Sequence, residues 1–175
     1  MEHAAVPGMD REERLHSWIE NYSDQILRMC FLYLSDQAQA EDALQDTWIK
    51  AWKHMDDYER NGIRNDKAWL MRIAINTCKD HRRTGWLRHI DKRKALEDLP
   101  QQLLQTADTD RSLSLQVMQL PDKYKQVILL HYYQGLTQKE TAQALGLSPA
   151  AVFRRLRSAE ALLKQILTGG EAYDE

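Results

Sequence analysis

Apolar side chains recur at steps of three and four residues along most of this chain, and this spacing predicts helices with one buried face. Strand-like alternation is almost absent, and the four prolines and seven glycines fall between the periodic segments. Asp36 and Asp66 stand where N-terminal caps are needed, and the polar stretch 54–65 is expected to be a loop. The first part of the chain is therefore predicted to form three helices, over residues 10–34, 36–53 and 66–83.

A second set of helices is expected after a linker. Residues 87–110 are polar, charged and only weakly periodic, which is typical of a connection between domains. Beyond them, Pro121 and Pro149 suit the first turns of two helices, and Thr137 with Glu140 can form a capping box between them. We predict an all-α fold of two small helical domains and a flexible linker, divided into a tail at 1–9, a domain at 10–88, a linker at 89–111, a domain at 112–168 and a tail at 169–175.

Charge is unevenly distributed along the chain, although the net charge is only −2. Residues 36–59 hold seven acidic and two basic side chains, a sum of −5, whereas residues 67–94 hold nine basic and two acidic ones, a sum of +7. An acidic block beside a basic block indicates two partners of opposite charge, a basic protein surface and a nucleic acid. Solvated helix faces are the alternative explanation for both blocks.

The sequence lacks the patterns that an enzyme or a membrane protein needs. It has no paired nucleophile and base, no phosphate-binding glycine loop and no set of metal ligands. Cys30 and Cys78 lie at apolar helical positions typical of packed thiols, and the metal-compatible spacing of Cys78 and His81 has no second ligand pair beside it. There is no apolar run near the ~20 residues of a membrane span, and no signal peptide. We expect a cytoplasmic, non-enzymatic protein without cofactor, metal or small-molecule substrate.

The segment GLTQKETAQALGLSPAAVFRRLRSAEALLK, residues 135–164, carries the sharpest functional signal. It predicts a capped helix, a tight turn at Gly146 and a second helix, which together make a helix-turn-helix. The N-terminal half of the second helix would enter the DNA major groove, where arginine reaches guanine edges or phosphates. A plain helical hairpin with a solvated arginine face is the alternative, and the capping box, the glycine turn and the clustered arginines favour DNA binding.

Two sequence blocks together resemble one known family. AEDALQDTWIKAW followed by AWLMRIAINTCKDHRR resembles the second conserved region of extracytoplasmic-function (ECF) sigma factors, and LPDKYKQVILLHYYQGLTQKETAQALGLS with VFRRLRSAEALLK resembles their fourth region. The resemblance covers residues 18 to 164 approximately. It implies a sigma factor that binds bacterial core RNA polymerase and directs initiation at promoters by recognising −10 and −35 elements. The alternative is a stand-alone helix-turn-helix regulator that binds duplex DNA without polymerase.

The resemblance also implies roles for individual residues. The acidic face of the second helix would dock on the clamp coiled coil of the largest polymerase subunit through Asp42, Gln45 and Asp46. The polymerase flap would be a further partner. The third helix and the loop before it would melt and read the −10 element. Asn76 would contact a base, and Tyr58 would stack on one unless it is a core aromatic. Phosphate contacts are expected from Lys79, Arg82, Arg83 and Arg88.

The helix-turn-helix would read the −35 element as duplex through Ser148, Phe153, Arg154, Arg155 and Arg157. Many family members carry a polar run such as Thr-Val-Lys-Ser-Arg where residues 151–155 here are Ala-Val-Phe-Arg-Arg, so the −35 preference does not carry over. Phe153 is expected to contact a thymine methyl or to pack on a partner. By resemblance, that partner is an anti-sigma factor, which in this family is often anchored in the membrane.

Overall fold

The computed structural model describes residues 8–83 and 108–168, and these two stretches form two groups of helices. The first group contains α1 (Arg11–Leu34), α2 (Gln37–Lys53), α3 (Met55–Arg60) and α4 (Asp66–Arg83). The second contains α5 (Asp108–Gln119), α6 (Asp122–Ile128) with a π-helical turn at Leu129–Tyr133, α7 (Gln138–Leu145) and α8 (Pro149–Thr168). The all-α prediction is confirmed for the described residues. Most of the predicted linker lies outside them, and its last residues, 108–111, belong to α5.

Local capping explains where the first helices begin and end. Asp10 and Glu13 form a capping box at the start of α1, and Ser35 closes that helix in the left-handed conformation with φ of 59°. Asp36 caps α2 as predicted, because its carboxylate accepts a hydrogen bond from Gln39 N at 2.8 Å. The short turn through Ser35 lets α1 and α2 fold back on each other, and α4 packs against both to close the core of the first domain.

Two predictions for the segment before α4 are wrong. The stretch 54–65 is not only a loop, because Met55 and Tyr58 are fully buried and anchor the single-turn helix α3 among otherwise polar residues. Asp66 does not cap α4, because Asn65 takes that role by accepting a hydrogen bond from Ala68 N at 3.0 Å. The Asp66 carboxylate instead accepts hydrogen bonds from Trp18 Nε1, at 3.0 Å, and from the Tyr58 hydroxyl. Both donors satisfy a carboxylate that is buried in the core.

The helix-turn-helix has the predicted geometry. Thr137 and Glu140 form the capping box of α7, and Gly146 ends that helix with φ of 66°, a conformation that favours glycine. The buried side chains that hold α7 and α8 together are Ala142, Leu145, Val152, Leu156 and Ala159, and Leu147 is partly buried against them. The turn and its caps therefore fix the direction of α8 relative to α7.

The two domains pack directly on each other. The N-terminal part of α6 lies against the C-terminal end of α1, and α7 lies along α4. Lys125 of α6 is completely buried in this contact, and its Nζ donates to the carbonyl oxygen of Tyr33 at 3.3 Å. The sequence analysis left the relative arrangement of the domains open, and the structure supplies it.

Candidate protein-docking and nucleic-acid surfaces

The outward face of α2 combines polar and apolar side chains. Asp42, Gln45, Ile49 and Trp52 follow one another at steps of three and four, so they share one side of the helix. Asp42 and Gln45 are exposed, and Ile49 is 51% exposed. The Trp52 ring is 37% exposed and is covered on one side by the Arg11 guanidinium, 4.6 Å from the ring centroid. We call these four residues the α2 face.

Asp46 does not belong to the α2 face in this structure. Its Oδ2 lies 2.8 Å from Nε2 of His81 on α4, and Nδ1 of the same imidazole lies 3.3 Å from Gln39 Oε1. The carboxylate therefore sits at the seam between α2 and α4, where it helps to hold the two helices in register. Of the three residues predicted for polymerase docking, Asp42 and Gln45 are exposed, and Asp46, whose side chain is 49% exposed, also contacts α4.

Some of the predicted −10 residues on α4 contact the second domain, and others are exposed to solvent. Asn76 is half-buried, and its Nδ2 donates to the carbonyl oxygens of Arg72, at 2.9 Å, and of Ala144 on α7, at 3.3 Å. Arg82 forms an ion pair with Asp122 of α6 at 3.4 Å. Lys79 is half-buried and Arg83 is exposed, 3.9 Å from Asp80. Arg88 lies outside the described residues.

Tyr58 is a core aromatic in this structure. Its side chain is 1% exposed, and its ring centroid lies 5.1 Å from that of Trp18 and 5.0 Å from that of Trp69. Burial and the hydrogen bond to Asp66 raise the pKa of Tyr58, so the hydroxyl stays a donor to that carboxylate. Of the two alternatives for this ring, the structure has the core position, and no ring face is open for a base to stack on.

The N-terminal half of α8 presents most of the predicted −35 residues to solvent. Phe153 is 48% exposed, Arg154 and Arg157 are exposed, and Arg155 is half-buried. The Arg157 guanidinium lies 5.7 Å from the centroid of the Phe153 ring, close enough for a cation–π contact. Ser148 caps the helix, because its Oγ accepts a hydrogen bond from Ala151 N at 3.1 Å. Arg154 and Arg157 are therefore exposed on the same stretch of α8 as the Phe153 ring.

An apolar groove lies elsewhere on the second domain, between α5, the π-helical turn and the end of α8. It has a volume of about 440 Å³ and is lined mainly by apolar side chains. The apolar residues that line it are Leu113, Val117, Ile128, Tyr132, Tyr133, Leu163 and Leu167. Tyr132 and Leu167 are 55% and 56% exposed, so this groove is open to a partner.

The two cysteines are packed against each other. Cys30 and Cys78 are fully buried with their Sγ atoms 3.2 Å apart. The hydrogen bond between the thiols and burial raise the pKa of Cys78, so this thiol stays protonated and is a poor nucleophile. Within the described residues, no group of three or more histidine, cysteine or acidic side chains could hold a metal ion, and no helix could span a membrane.

Sequence reasoning missed three features of these surfaces. Ile49 is exposed on α2, although the acidic side chains around it suggested a fully polar outer face. Its position seven residues after Asp42 could have shown that it lies on the same side of the helix. The interdomain contacts of Asn65 and Lys125 had no local signal. Both contacts join residues that are far apart in the sequence, and no periodicity reports such pairs.

Comparison with known proteins identifies both halves of the chain. A family model described as Sigma-70 region 2 matches residues 18–99, and one described as Sigma-70, region 4 matches residues 110–163. The ECF RNA polymerase sigma factor SigW of Bacillus subtilis (strain 168) is 29% identical over 163 residues, which cover 85% of this chain and 86% of the relative. The ECF RNA polymerase sigma factor SigL of Mycobacterium tuberculosis (strain ATCC 25618 / H37Rv) is 32% identical over 136 residues, 75% of this chain and 76% of that one.

Two solved structures share the fold. CnrH in complex with the cytosolic domain of CnrY has a TM-score of 0.68 at 24% identity, with 91% of each chain covered. The sigma factor RpoE in complex with the anti-sigma factor NepR from Bartonella quintana has a TM-score of 0.70 at 20% identity, with 90% of this chain and 99% of that chain covered. At these identities, the likeness concerns the fold alone.

Proposed function

The chain belongs to the sigma-70 family as an ECF-type sigma factor, and from this premise we propose how its surfaces divide the work of promoter recognition. It directs promoter-specific transcription initiation by RNA polymerase. In our proposal the α2 face binds the polymerase, the outer face of α4 reads the −10 element, and the N-terminal half of α8 reads the −35 element. The observation that carries the proposal is an exposed apolar side chain, Ile49, among the polar groups of α2.

The α2 face has the composition of a protein interface. Exposed ion pairs contribute only ~0.2–1 kcal/mol each, so Asp42 alone cannot supply tight binding to a basic coiled coil. An apolar centre that is buried on docking contributes more, and here Ile49 and the edge of Trp52 provide it. Asp42 and Gln45 then orient the partner and match its basic side chains, while Asp46 keeps α2 and α4 aligned behind them.

The −10 and −35 surfaces suit different forms of DNA. An amide such as that of Asn76 offers a paired donor and acceptor, which can read the edge of a base that has left the stack. Lys79 and Arg83, with Arg82 once its ion pair is released and Arg88 beyond the described residues, fit phosphate contacts along the melted strand. Arginine side chains on α8 can donate hydrogen bonds to guanine edges in the major groove of duplex DNA, and the Phe153 ring can contact a thymine methyl group.

We assign the remaining surfaces to protein partners. The apolar groove of the second domain fits an amphipathic helix, and the polymerase flap is the partner we propose for it. The solved complexes of CnrH with CnrY and of RpoE with NepR favour an anti-sigma factor as a regulator of this chain too. We place the protein in the cytoplasm, where the polymerase works, and give it no catalytic role of its own.

Run-off transcription with purified bacterial core polymerase, on fragments of the source genome, tests the proposal. The wild-type chain is expected to produce discrete start sites, and the double variant Asp42→Arg, Ile49→Asp is expected to produce none. Asp24→Arg is the control, because it makes the same carboxylate-to-arginine change at an exposed position on α1 rather than on α2. If no start sites appear and the wild-type chain alone shifts duplex promoter DNA, the chain acts as a stand-alone regulator and the roles given to α2 and α4 fail.

A further inference from the structure

The first helix of the helix-turn-helix, α7, lies along the outer face of α4. Asn76 Nδ2 donates to the carbonyl oxygen of Ala144 at 3.3 Å, and Asn65 Nδ2 donates to Glu140 Oε1 at 2.8 Å. Glu140 is held in place by its own capping box, since its other carboxylate oxygen accepts from Thr137 N at 2.8 Å. The side chain proposed to read a −10 base is therefore half-buried, and its amide donates to the second domain.

A second zone of contact fixes the domains at the other end of their interface. Lys125 donates to the carbonyl oxygen of Tyr33, and Gln126 Nε2 donates to the hydroxyl of the same tyrosine at 3.1 Å. Asp122, one turn earlier on α6, pairs with Arg82 at 3.4 Å and lies 3.8 Å from Lys125 Nζ. Asp122 thus lies between a proposed phosphate-binding residue of α4 and the buried lysine, and it faces the positive charges of both.

The two proposed DNA surfaces differ in accessibility as a result. On α4, Asn76 and Arg82 are both engaged by the second domain. On α8, Phe153, Arg154 and Arg157 are exposed to solvent, although α8 belongs to the same domain as α7. The closed arrangement covers part of the surface for single-stranded −10 DNA, at Asn76 and Arg82, and leaves the surface for duplex −35 DNA open.

We infer that the free chain rests in this closed state and that its two domains must separate, by release of the contacts around Asp122 and Glu140, before the −10 element can be read. This inference rests on the proposed roles of α4 and α8. The polar contacts at the interface are hydrogen bonds and an ion pair, which can be exchanged for contacts with water, polymerase or DNA. The α2 face takes no part in them, so polymerase can dock on the closed chain.

Asp122→Arg tests the inference, because it places a third positive charge beside Arg82 and Lys125. Energy transfer between dyes at Arg60→Cys and Gln165→Cys, both at exposed positions, is expected to fall in this variant. If the open form is about a tenth of the free wild-type chain, binding of a single-stranded −10 oligonucleotide copied from a mapped promoter tightens by up to about tenfold. Binding of the −35 duplex is expected to stay within about twofold of wild type, because α8 is already accessible.

Two further variants separate opening from the added charge. Glu160→Arg changes the charge of the same domain by the same amount outside the interface, and it is expected to leave energy transfer and −10 binding unchanged. Asn65→Asp keeps the cap of α4 and places a carboxylate against Glu140, so it is expected to lower energy transfer with the opposite change in charge. The inference is overturned if wild type and Asp122→Arg give equal energy transfer, or if Glu160→Arg tightens −10 binding as much as Asp122→Arg does.

A covalent cross-link between the two domains tests whether the closed state is inactive in transcription. In the double variant Arg72→Cys, Gln143→Cys, the two thiols lie on adjoining stretches of α4 and α7, since Asn76 bridges the carbonyl oxygens of Arg72 and Ala144. The native cysteines are fully buried and do not compete for a bis-maleimide. The bridged chain is expected to lose run-off activity that the unbridged chain retains. Activity in the bridged chain overturns the inference alone, whereas inactivity of the wild-type and unbridged chains overturns the proposed function.

Discussion

The two helices proposed to read DNA, α4 and α8, carry similar basic side chains but lie in different surroundings. α8 begins at a serine cap after a glycine turn and exposes Arg154 and Arg157 to solvent, so its geometry is set by nearby residues. α4 is held by contacts from distant parts of the chain, among them Trp18 on its buried side and Ala144 on its outer side. A basic helical face in a sequence therefore indicates a chemistry, and the tertiary structure decides whether that chemistry is available.

The largest expected effect concerns Asp66, the buried carboxylate in the first turn of α4. Asp66→Ala removes a buried carboxylate that accepts from Trp18 and Tyr58, so two donors lose a charged partner and the first domain loses roughly 2–4 kcal/mol of unfolding free energy. Urea unfolding followed by tryptophan fluorescence reports this domain selectively, because residues 108–168 contain no tryptophan. The exposed Asp56→Ala is the control and is expected to cost under about 1 kcal/mol. Equal losses in both variants would show that Asp66 does not anchor α4.

A smaller effect is expected at the surface of α8. Arg154→Ala is expected to weaken binding of a −35 duplex by about 1–3 kcal/mol if the guanidinium contacts a guanine, and the loss should vary with the base at one promoter position. Lys164→Ala, at an exposed basic residue near the end of α8, is the control for general phosphate attraction. Fluorescence anisotropy with single-base promoter variants measures both. A loss from Arg154→Ala that is the same for every sequence would assign the side chain to phosphate.

The smallest effect concerns Tyr33, which accepts hydrogen bonds from Lys125 and Gln126 of α6 across the domain interface. Burial, opposed by the hydrogen bond from Gln126, raises the pKa of Tyr33 from 10.0 to about 12. Because the folded chain holds this proton more tightly, the stability it contributes is complete below pH 10 and is lost as the pH rises to about 12. Tyr33→Phe is expected to cost about 0.5–1.5 kcal/mol at neutral pH and to flatten the alkaline loss of unfolding free energy. An unchanged alkaline slope in Tyr33→Phe would contradict this account.

Local signals predicted much of the fold and one of the surfaces. The box of Thr137 and Glu140, the turn at Gly146 and the cap at Asp36 each depend on residues within four positions, and each is confirmed. The failures involve partners far away in the chain. Asp66 looked like a cap, yet its carboxylate accepts a hydrogen bond from Trp18. The contact of Asp46 with His81 was not predicted, and the docking role of Asp46 stays a prediction. A sequence pattern reports which side chains share a helix face, but it does not report what another helix places against that face.

The burial of Lys125 has a consequence for the solubility of the opened protein. When two domains separate at an apolar interface, each domain exposes a hydrophobic patch that promotes aggregation. Here the interface includes an ammonium group, which regains its hydration shell as soon as Tyr33 is released. Separation of the domains therefore exposes a charged group as well as apolar surface, which lowers the apolar share of the newly exposed area.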